Sequence, residues 1–259
     1  MPGPGAAAMD QVASLLRQAR HVVAFTGAGV SAESGVPTFR DALTGLWARF
    51  DPTELATATT YKADPELVWG WYEWRRQLLL RAQPNPAHLA LAELAHRVER
   101  LTLVTQNVDD LHERAGSTDV IHLHGSMFAP RCFDCAAPHT LPPGLPDEPE
   151  GGRRLAPPRC TGCGGPIRPG VVWFNEALPR QAWAAAETAA SSCDVFLSIG
   201  TSGLVYPAAS LPRLAAGHQA QVVIVNPDAG TPQREGGLAL AGAAGAVLPA
   251  VVRRMEQGS

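Results

Sequence analysis

The sequence lacks the features that mark secreted, membrane and disulfide-rich proteins. Five cysteines in 259 residues are too few for a disulfide scaffold. No stretch approaches the roughly 18 apolar residues that a membrane span needs. The opening stretch MPGPGAAAMDQ has neither the basic nor the apolar region of a secretory signal. We therefore expect a cytoplasmic protein that does not act on membranes.

The sequence also lacks an excess of basic residues. Its formal net charge is -3 and its isoelectric point is about 6.2, so its surface is not of the kind that attracts nucleic acid. A small molecule or a peptide is the expected partner. A chain of 259 residues with 46% hydrophobic residues can bury a full core. We expect it to fold alone, as a monomer.

Short apolar runs alternate with helical patterns along the chain. The patterns at 64–82 and 85–98 predict helices, and the second opens with Asn85 as N-cap and Pro86 in the first turn. Alternating strands and helices predict an α/β fold, a Rossmann-like parallel sheet with helices on both faces. The predicted strands are 21–26, 101–105, 120–124, 171–174, 194–200 and 221–226.

One segment interrupts this alternation. Residues 136–159 contain seven prolines and almost no apolar periodicity, and a pair of cysteines lies on each side. We therefore predict a small module at 126–170, inserted into an α/β domain that is formed by 1–125 and 171–259. Part of 36–84 is a further candidate for the small domain.

The cysteine pairs are Cys132 with Cys135 and Cys160 with Cys163, in the spacing C-x2-C-x24-C-x2-C. Four thiolates at this spacing match a tetrahedral zinc site that stabilises a fold. A redox or catalytic role is the alternative, but four cysteine ligands leave zinc no open position. The fifth cysteine, Cys193, enters a predicted strand, so we expect it in the core.

A glycine loop follows the predicted strand at 21–26. The residues Gly27-Ala28-Gly29-Val30-Ser31-Ala32 match G-x-G-x-x-A. Such glycines let the backbone approach a pyrophosphate, and the N-terminus of a following helix adds N–H donors. A tight structural turn is the alternative. No strand ending in an acidic residue follows, so an ordinary dehydrogenase fold is not expected and a dinucleotide ribose must be held elsewhere.

Two later strand ends offer polar groups for that purpose. Gly200, Thr201 and Ser202 follow one strand, and Asn226 and Asp228 follow another. The carboxyl ends of parallel strands meet at one edge of a sheet, where ligands bind, and Asn226 and Asp228 can pair with ribose hydroxyls. For each of these segments, an ordinary strand-to-helix loop is the alternative.

A polar cluster follows the strand at 101–105. It contains Gln106, Asn107, Asp109 and Asp110. Asparagine and aspartate can pair with the donors and the acceptor of a carboxamide ligand. Capping of a helix predicted at 108–116 is the alternative.

Two histidines end the predicted strand at 120–124. His124 is followed by Gly125, and a histidine at such a strand end is placed for general base catalysis. His122 lies two residues back and shares its face, so the pattern does not decide between them. A structural role is the alternative for either ring.

With these motifs assembled, the sequence resembles the sirtuin family of NAD-dependent protein lysine deacylases from about residue 19 to 252. The resemblance implies a Rossmann-like NAD-binding domain and a small module with one structural zinc ion. NAD is then a consumed co-substrate, and acylated lysine side chains of proteins are the partners. The motifs, in family order, are GAGVSAESGVPTFR, TQNVDDLHERAG, HLHGSM, the cysteine pairs, RPGVVWFNEALP, GTSGLVYPA and VNPD.

The resemblance also implies a role for individual residues. His124 would be the catalytic base, Asn107 and Asp109 would bind the nicotinamide amide, and Gln106 would contact the ribose. The acyl oxygen would displace nicotinamide to give an alkylimidate, and a ribose hydroxyl activated by His124 would attack it. The products would be free lysine, nicotinamide and 2'-O-acyl-ADP-ribose. The other implied NAD contacts are Gly27, Ala28, Gly29, Ser31, Thr38, Phe39, Arg40, Gly200, Thr201, Ser202, Asn226, Asp228 and the backbone near Ala244.

Tyr72 and Arg75 lie three residues apart and therefore share a helix face. The small bacterial and mitochondrial branch of the family has a Tyr-x-x-Arg here that binds the carboxylate of succinyl- or malonyl-lysine. The resemblance thus implies desuccinylase and demalonylase activity beside deacetylase activity. The alternative is a Tyr72 packed among tryptophans and a solvated Arg75.

The resemblance places Val172, Trp173 and Phe174 beside the substrate peptide, as a strand that pairs with it. The chain departs from the branch at Gly170 and Asn175, where His and Gly are common. These two positions bear on the geometry of the substrate segment and on its peptide preference. NAD-dependent mono-ADP-ribosyl transfer is a second enzymatic hypothesis. A non-enzymatic zinc-ribbon interaction module is a third, but it leaves the glycine loop and the polar cluster unexplained.

Overall fold

A computed structural model describes residues 5–37, 45–142, 144, 148–149, 151–227 and 237–256. Its strands are β1 His21–Thr26, β2 Arg100–Thr105, β3 Ile121–His122, β4 Gly125–Cys132, β5 Ile167–Val171, β6 Val195–Ile199, β7 Gln221–Asn226 and β8 Leu238–Ala241. Six of them form one parallel sheet in the order β3-β2-β1-β6-β7-β8, and β4 and β5 form a separate antiparallel pair.

The helices cover both faces of the parallel sheet, as predicted. Their bounds are α1 Ala6–Gln18, α2 Pro52–Leu55, α3 Ala58–Ala63, α4 Pro65–Arg81, α5 Pro86–Ala95, α6 Leu111–Arg114, α7 Arg180–Ser192, α8 Leu211–Gly217 and α9 Ala244–Glu256. Helices α1, α5 and α9 pack on one face, and α7 and α8 pack on the other. All residues of β1 and β6 are therefore buried. No helix in the described ranges is long and apolar enough to cross a membrane.

Helix α5 begins as its sequence predicts. The Oδ1 of Asn85 accepts a hydrogen bond from the N–H of Ala87 at 2.9 Å, and Pro86 lies in the first turn. The ring of His88 returns to the backbone N–H of Asn85 at 3.3 Å and completes a capping box. This reciprocal cap brings a histidine to the buried start of the helix.

Two of the predicted strands differ in the structure. The strand predicted at 171–174 is wrong, because β5 ends at Val171 and pairs with β4 rather than with the parallel sheet. The strand predicted at 120–124 is shortened to Ile121–His122. After Leu123 the chain leaves the sheet, since Gly125 already pairs with Val171 in the small sheet.

Besides the cores on the two faces of the parallel sheet, a separate hydrophobic cluster joins α2, α3 and α4 to the small sheet formed by β4 and β5. It contains Trp47, Tyr61 and Trp71 together with Met127 and Trp173. The residues between 45 and 82 thus pack against the β4 and β5 strands. The division of the chain at 125, 126, 170 and 171 remains a prediction.

Candidate active site and cysteine cluster

The loops that carry the predicted site residues lie at one edge of the parallel sheet, where its strands end. The glycine loop follows β1, the polar cluster follows β2, and His124 lies two residues after β3. Gly200 follows β6, and Gly242 closes onto the backbone of Asn226 after β8. Parallel topology therefore brings residues from distant parts of the sequence to one edge.

The glycines that follow β1 and β6 contact each other. The N–H of Gly29 donates to the carbonyl oxygen of Gly200 at 2.9 Å. A Cβ on Gly29 would lie 2.7 Å from the Cα of Gly200, and a Cβ on Gly200, which has φ +60, would lie 2.4 Å from the nitrogen of Val30. Glycine is required here for the contact between the two loops, whatever ligand the loops bind.

The α-helix predicted after the glycine loop is not formed. Two short 3-10 turns, Ala28–Val30 and Ala32–Ser34, follow β1 and end at Gly35 in the left-handed region. The dipole of an α-helix is therefore not available at this loop. Four of its backbone N–H groups, those of 27 and 29–31, donate to carbonyl oxygens within the chain.

Ser31 lies at the centre of a buried polar network. Its hydroxyl donates to Oδ2 of Asp109 at 3.0 Å and accepts a hydrogen bond from Nδ2 of Asn107 at 3.0 Å. The other oxygen of Asp109 accepts from the N–H of Leu111 at 3.2 Å, so this side chain also holds the start of α6. Burial raises the pKa of Asp109, and the hydrogen bonds from Leu111 and Ser31 oppose that rise.

The two candidate histidines differ in their hydrogen bonds. The Nδ1–H of His124 donates to the carbonyl oxygen of Gln106 at 2.9 Å, which leaves Nε2 as the unprotonated nitrogen. Nε2 makes no hydrogen bond to any residue that the structure describes. Burial lowers the pKa of His124, and its bond to Gln106 opposes this only in part. A neutral ring with a free basic nitrogen is the form that a general base needs.

His122 has both ring nitrogens engaged. Nδ1 lies 3.2 Å from the carbonyl oxygen of Asn107, and Nε2 lies 2.6 Å from Oε1 of Glu113. Burial alone would lower the pKa of His122, but the hydrogen bond and the charge of Glu113 outweigh burial and raise it. The two contacts suit a charged ring that holds loops together, so the geometry favours His124 as the base.

Sequence reasoning missed a second pair of histidines beneath the network. His88 accepts from the N–H of Asn85 through Nδ1, and its Nε2 lies 3.4 Å from the Ser31 hydroxyl. The ring of His112 meets that of His88 edge to face at 4.8 Å, and its Nε2 lies 3.0 Å from Oγ1 of Thr26. His88 lies at a capping position three residues after Asn85 and His112 lies within the motif TQNVDDLHERAG, but neither pattern indicates that the two rings meet.

We expect His88 to make folding stability depend on pH. Burial lowers the pKa of His88 to about 4, whereas an exposed ring titrates near 6.5. The unfolded chain therefore binds more protons between these two pH values. The stability that the buried neutral ring contributes is fully present above pH 6.5 and is lost as the pH drops towards 4. The His88 contribution amounts to at most about 3 kcal/mol.

Urea unfolding of wild type and His88→Gln at several pH values between 7 and 4 measures this effect. The variant should lose less stability than wild type over that interval, whatever its stability at pH 7. His218→Gln removes an exposed histidine and is the control. Equal pH slopes for wild type and His88→Gln would contradict the expectation.

Tyr72 and Arg75 are both buried, on the side of α4 that faces the segment after β5. The Nε1–H of Trp173 donates to the hydroxyl of Tyr72 at 2.9 Å, and the Arg75 guanidinium lies 5.2 Å from the Trp71 ring centre. Arg75 is buried, so the alternative of a solvated Arg75 is wrong. Burial lowers the pKa of Arg75, and the charges of Tyr72 and Asp109 oppose this lowering only in part. These interactions are consistent with a position near the polar network.

An ion pair shapes the segment after β5. The guanidinium of Arg168 binds both carboxylate oxygens of Glu176, at 2.6 and 2.9 Å, and lies 3.5 Å from the ring centre of Trp173. Glu176 also accepts from the N–H of Trp173 at 2.9 Å. The sequence offered no signal for this pair. It holds Trp173 buried against Tyr72, while Phe174 stays 41% exposed.

The departures at Gly170 and Asn175 have structural reasons. A Cβ on Gly170 would lie 1.8 Å from the carbonyl oxygen of Ala129, where the β4 strand shifts register. Asn175 adopts φ +68, and asparagine is the residue that best replaces glycine in this region.

The backbone N–H groups of 172–174 all donate within the chain. Their acceptors are the carbonyl oxygen of His124, the carboxylate of Glu176 and the carbonyl oxygen of Ala56. A peptide strand beside this segment would therefore pair with its carbonyl oxygens.

Hydrogen bonds among the last loops hold the remaining predicted residues. Nδ2 of Asn226 donates to the carbonyl oxygen of Thr201 at 2.9 Å, and the hydroxyls of Thr201 and Ser198 lie 2.8 Å apart. Ser202 accepts from the N–H of Leu204 at 3.2 Å. Ala244 is buried at the first position of α9. Thr38, Phe39, Arg40 and Asp228 lie outside the described residues.

The four paired cysteines meet in one cluster. The Sγ atoms of Cys132 and Cys163 lie 3.5 Å apart, and those of Cys135 and Cys160 lie 3.8 Å apart. All four lie within 4.8 Å of one another. Zinc bonds of about 2.3 Å in a tetrahedron place sulfur atoms about 3.8 Å apart, so the donor set fits one structural zinc ion.

The parallel sheet carries a polar cluster at its carboxyl edge, and a four-cysteine module adjoins it. This combination is typical of a class of nucleotide-binding enzymes. Residues 27–207 match the Sir2 family model, and the chain belongs to the Sir2 family.

The chain is similar to several known proteins along nearly its whole length. It is 60% identical to an NAD-dependent protein deacylase of Methylococcus capsulatus, over 96% of this chain and 97% of that protein. It is also 60% identical to NAD-dependent protein deacylase 1 of Pseudomonas aeruginosa, over 96% of this chain and 100% of the relative. The crystal structure of a Sir2 homologue in complex with NAD matches with a TM-score of 0.86 and 43% identity, over 96% of this chain and 94% of that one.

Proposed function

We propose that this chain, an NAD-dependent protein deacylase, removes succinyl and malonyl groups from lysine side chains as well as acetyl groups. The observation that carries the proposal is the buried pair of Tyr72 and Arg75. An arginine fork and a phenol hydroxyl are donors suited to a carboxylate at the end of an acyl chain. Both side chains are buried, so a carboxylate beside them would lie in a low-dielectric site, where charge-assisted hydrogen bonds are stronger than in water.

Individual residues would divide the work at the sheet edge. Asn107 and Asp109, held by Ser31, would bind the amide of the nicotinamide group, and Gln106 would contact the adjoining ribose. The glycine loop would lie against the pyrophosphate, because its glycines let the backbone approach a ligand closely. Gly200, Thr201, Ser202 and Asn226 would surround the adenosine half, beside the start of α9 at Ala244 and near Asp228.

NAD would supply the ribosyl carbon that accepts the acyl oxygen when nicotinamide leaves. His124 would then take a proton from a ribose hydroxyl through Nε2, because its Nδ1–H is fixed on the carbonyl oxygen of Gln106. The ribose oxygen would attack the acyl carbon, and the lysine amine would leave that carbon with the proton. Water would then add to the acyl carbon as its bond to the first ribose oxygen breaks. Free lysine, nicotinamide and 2'-O-acyl-ADP-ribose would be the products.

The substrate peptide would lie along 172–174 and use the carbonyl oxygens of that segment. Exposed apolar side chains support a peptide-binding surface at the rim. Leu204 is 72% exposed and Tyr206 is 74% exposed, and neither is needed for the core. Backbone pairing and a few apolar contacts favour tolerance of different peptide sequences.

The decisive experiment compares matched acetyl-lysine and succinyl-lysine peptides with NAD, for wild type and Arg75→Met. We expect the kcat/KM of wild type to be substantial for both peptides. Arg75→Met should lose about 10- to 100-fold on the succinyl peptide, since a charge-assisted hydrogen bond contributes about 1.5 to 3 kcal/mol. Its activity on the acetyl peptide should change much less.

Arg81→Met removes an exposed arginine at the end of the same helix and is the matched control. Arg75→Lys keeps the charge but not the fork, so it should recover part of the succinyl activity. A wild-type enzyme that removes acetyl but not succinyl would contradict the acyl proposal. ADP-ribose found on protein, with neither peptide deacylated, would point instead to mono-ADP-ribosyl transfer.

A further inference from the structure

The proline-rich spacer between the cysteine pairs contacts helix α4 along most of its length. We call residues 151–155, together with Glu148, the strap. The N–H of Leu155 donates to the carbonyl oxygen of Glu66 at 3.0 Å. Towards the other end of the helix, Nε2 of Gln77 donates to the carbonyl oxygen of Glu148 at 3.1 Å. Glu66 and Gln77 are eleven positions apart along the helix, which corresponds to about 16 Å.

Gly70 marks the closest approach between strap and helix. A Cβ at Gly70 would lie 2.0 Å from the carbonyl oxygen of Arg153, which is backbone and cannot swing aside. Glycine is unfavourable in a helix interior. Its presence in the middle of α4 is therefore explained by the strap, which only a residue without a side chain can accept at this depth.

The strap is itself held at several points. The carboxylate of Glu148 is buried and accepts a hydrogen bond from Nε of Arg153 at 3.1 Å. Arg154 forms an ion pair with Asp64, the N-cap of α4, at 2.6 Å. The carbonyl oxygen of Gly151 accepts from the N–H of Leu46 at 2.9 Å. The strap is thus an ordered part of the fold, although the sequence predicts an irregular excursion.

The strap and the acyl-binding pair lie on different sides of the helix. At about 100° per residue, Gln77 shares the face of Gly70, while Tyr72 and Arg75 lie about 200° and 140° away from Gly70. Trp173 contacts the Tyr72 side through its hydrogen bond to the hydroxyl. Helix α4 is consequently held between the strap behind it and Trp173 in front.

We propose that the strap fixes the depth of α4 in the fold and thereby determines the acyl-group selectivity of Tyr72 and Arg75, with Gly70 as the specificity-determining residue. The inference rests on the proposed function of that pair. A helix displaced towards Trp173 would move the guanidinium relative to the polar network. Recognition of a carboxylate by a fork depends steeply on this placement, whereas an acetyl group needs only space.

The test measures kcat/KM for acetyl and succinyl peptides with Gly70→Ala and the intact zinc-loaded chain. We expect the ratio of succinyl to acetyl activity to fall about tenfold or more, in keeping with the loss of one charge-assisted hydrogen bond. Gly217→Ala adds the same methyl group near the end of helix α8, where nothing lies within 4 Å, and should leave the ratio unchanged. Gln77→Ala removes one strap contact without a clash and should shift the ratio in the same direction, by less.

Equal losses on both peptides in folded Gly70→Ala would overturn the proposal, and so would an unchanged ratio. Amide hydrogen exchange shows whether the variant is folded. If Gly70→Ala does not fold, Gln77→Ala decides, and an unchanged ratio in that variant overturns the proposal. A wild type that lacks desuccinylase activity is a separate result, since it overturns the proposed function before any variant is compared.

Discussion

Replacing His124 with alanine is expected to reduce deacylation by about 100-fold or more, the contribution of a well-placed general base. The loss should appear in kcat with both acetyl and succinyl peptides, because the proposed mechanism has His124 act on the ribose hydroxyl and not on the acyl chain. Exchange of labelled nicotinamide into NAD should persist in the presence of acyl-peptide, since nicotinamide leaves before the base is needed. Product analysis by mass and label incorporation measures the two steps separately.

His122→Gln is the matched control for this prediction. It removes a half-buried ring two residues away, whose nitrogens contact the carbonyl oxygen of Asn107 and the carboxylate of Glu113. This variant should keep most of its deacylase activity. The opposite result, with His122→Gln inactive and His124→Ala active, would exchange the roles of the two rings.

The pH dependence of wild type follows from the same geometry. Only neutral His124 can accept a proton, so kcat/KM should rise as the pH increases through the pKa of this ring in the free enzyme. Burial places that pKa below the ordinary value of 6.5. The acid limb of the kcat/KM profile should therefore have its midpoint below 6.5, and a midpoint clearly above that value would contradict a neutral base at this position.

The sequence predicts the parallel sheet well because its strands are buried on both faces. The runs at 21–26 and 221–226 contain only apolar or β-branched residues at their centres, and the helices that flank them bury both sides. The run at 171–174 looks the same in the sequence. It does not join the parallel sheet because Val171 pairs with Gly125 in the small sheet, and Trp173 is then fixed by Arg168 and Glu176. An ion pair between residues eight positions apart leaves no periodic signal in the sequence.

The site illustrates the same limit. Gly27, Asn107 and His124 are recognisable because each follows a strand in a known motif. His88 and His112 receive no role from the sequence, since their contacts with Ser31 and Thr26 join segments more than 50 residues apart. The strap is hidden for a similar reason: prolines indicate an irregular path, and only the fold shows that this path follows α4.

Removing zinc is expected to unfold the small sheet and abolish deacylation. Structural zinc contributes about 10 to 16 kcal/mol of apparent binding free energy in small zinc-binding peptides, more than the whole stability of many domains. Cys132 and Cys160 belong to a buried cluster with Trp69 and Ile167. The loss would therefore spread from the cysteine loops to strand β5 and to helix α4, which carries Tyr72 and Arg75.

Metal analysis should find one zinc ion per chain in wild type and much less in Cys160→Ser. Circular dichroism melting should show a large decrease in the transition temperature of that variant, together with loss of activity. Cys193→Ser alters a buried thiol outside the cluster and should retain both zinc and deacylation. Because a closed site of four thiolates performs no redox step, mild reductant should leave wild-type activity unchanged. Full activity in the zinc-free chain would show that the cysteine cluster does not stabilise the site.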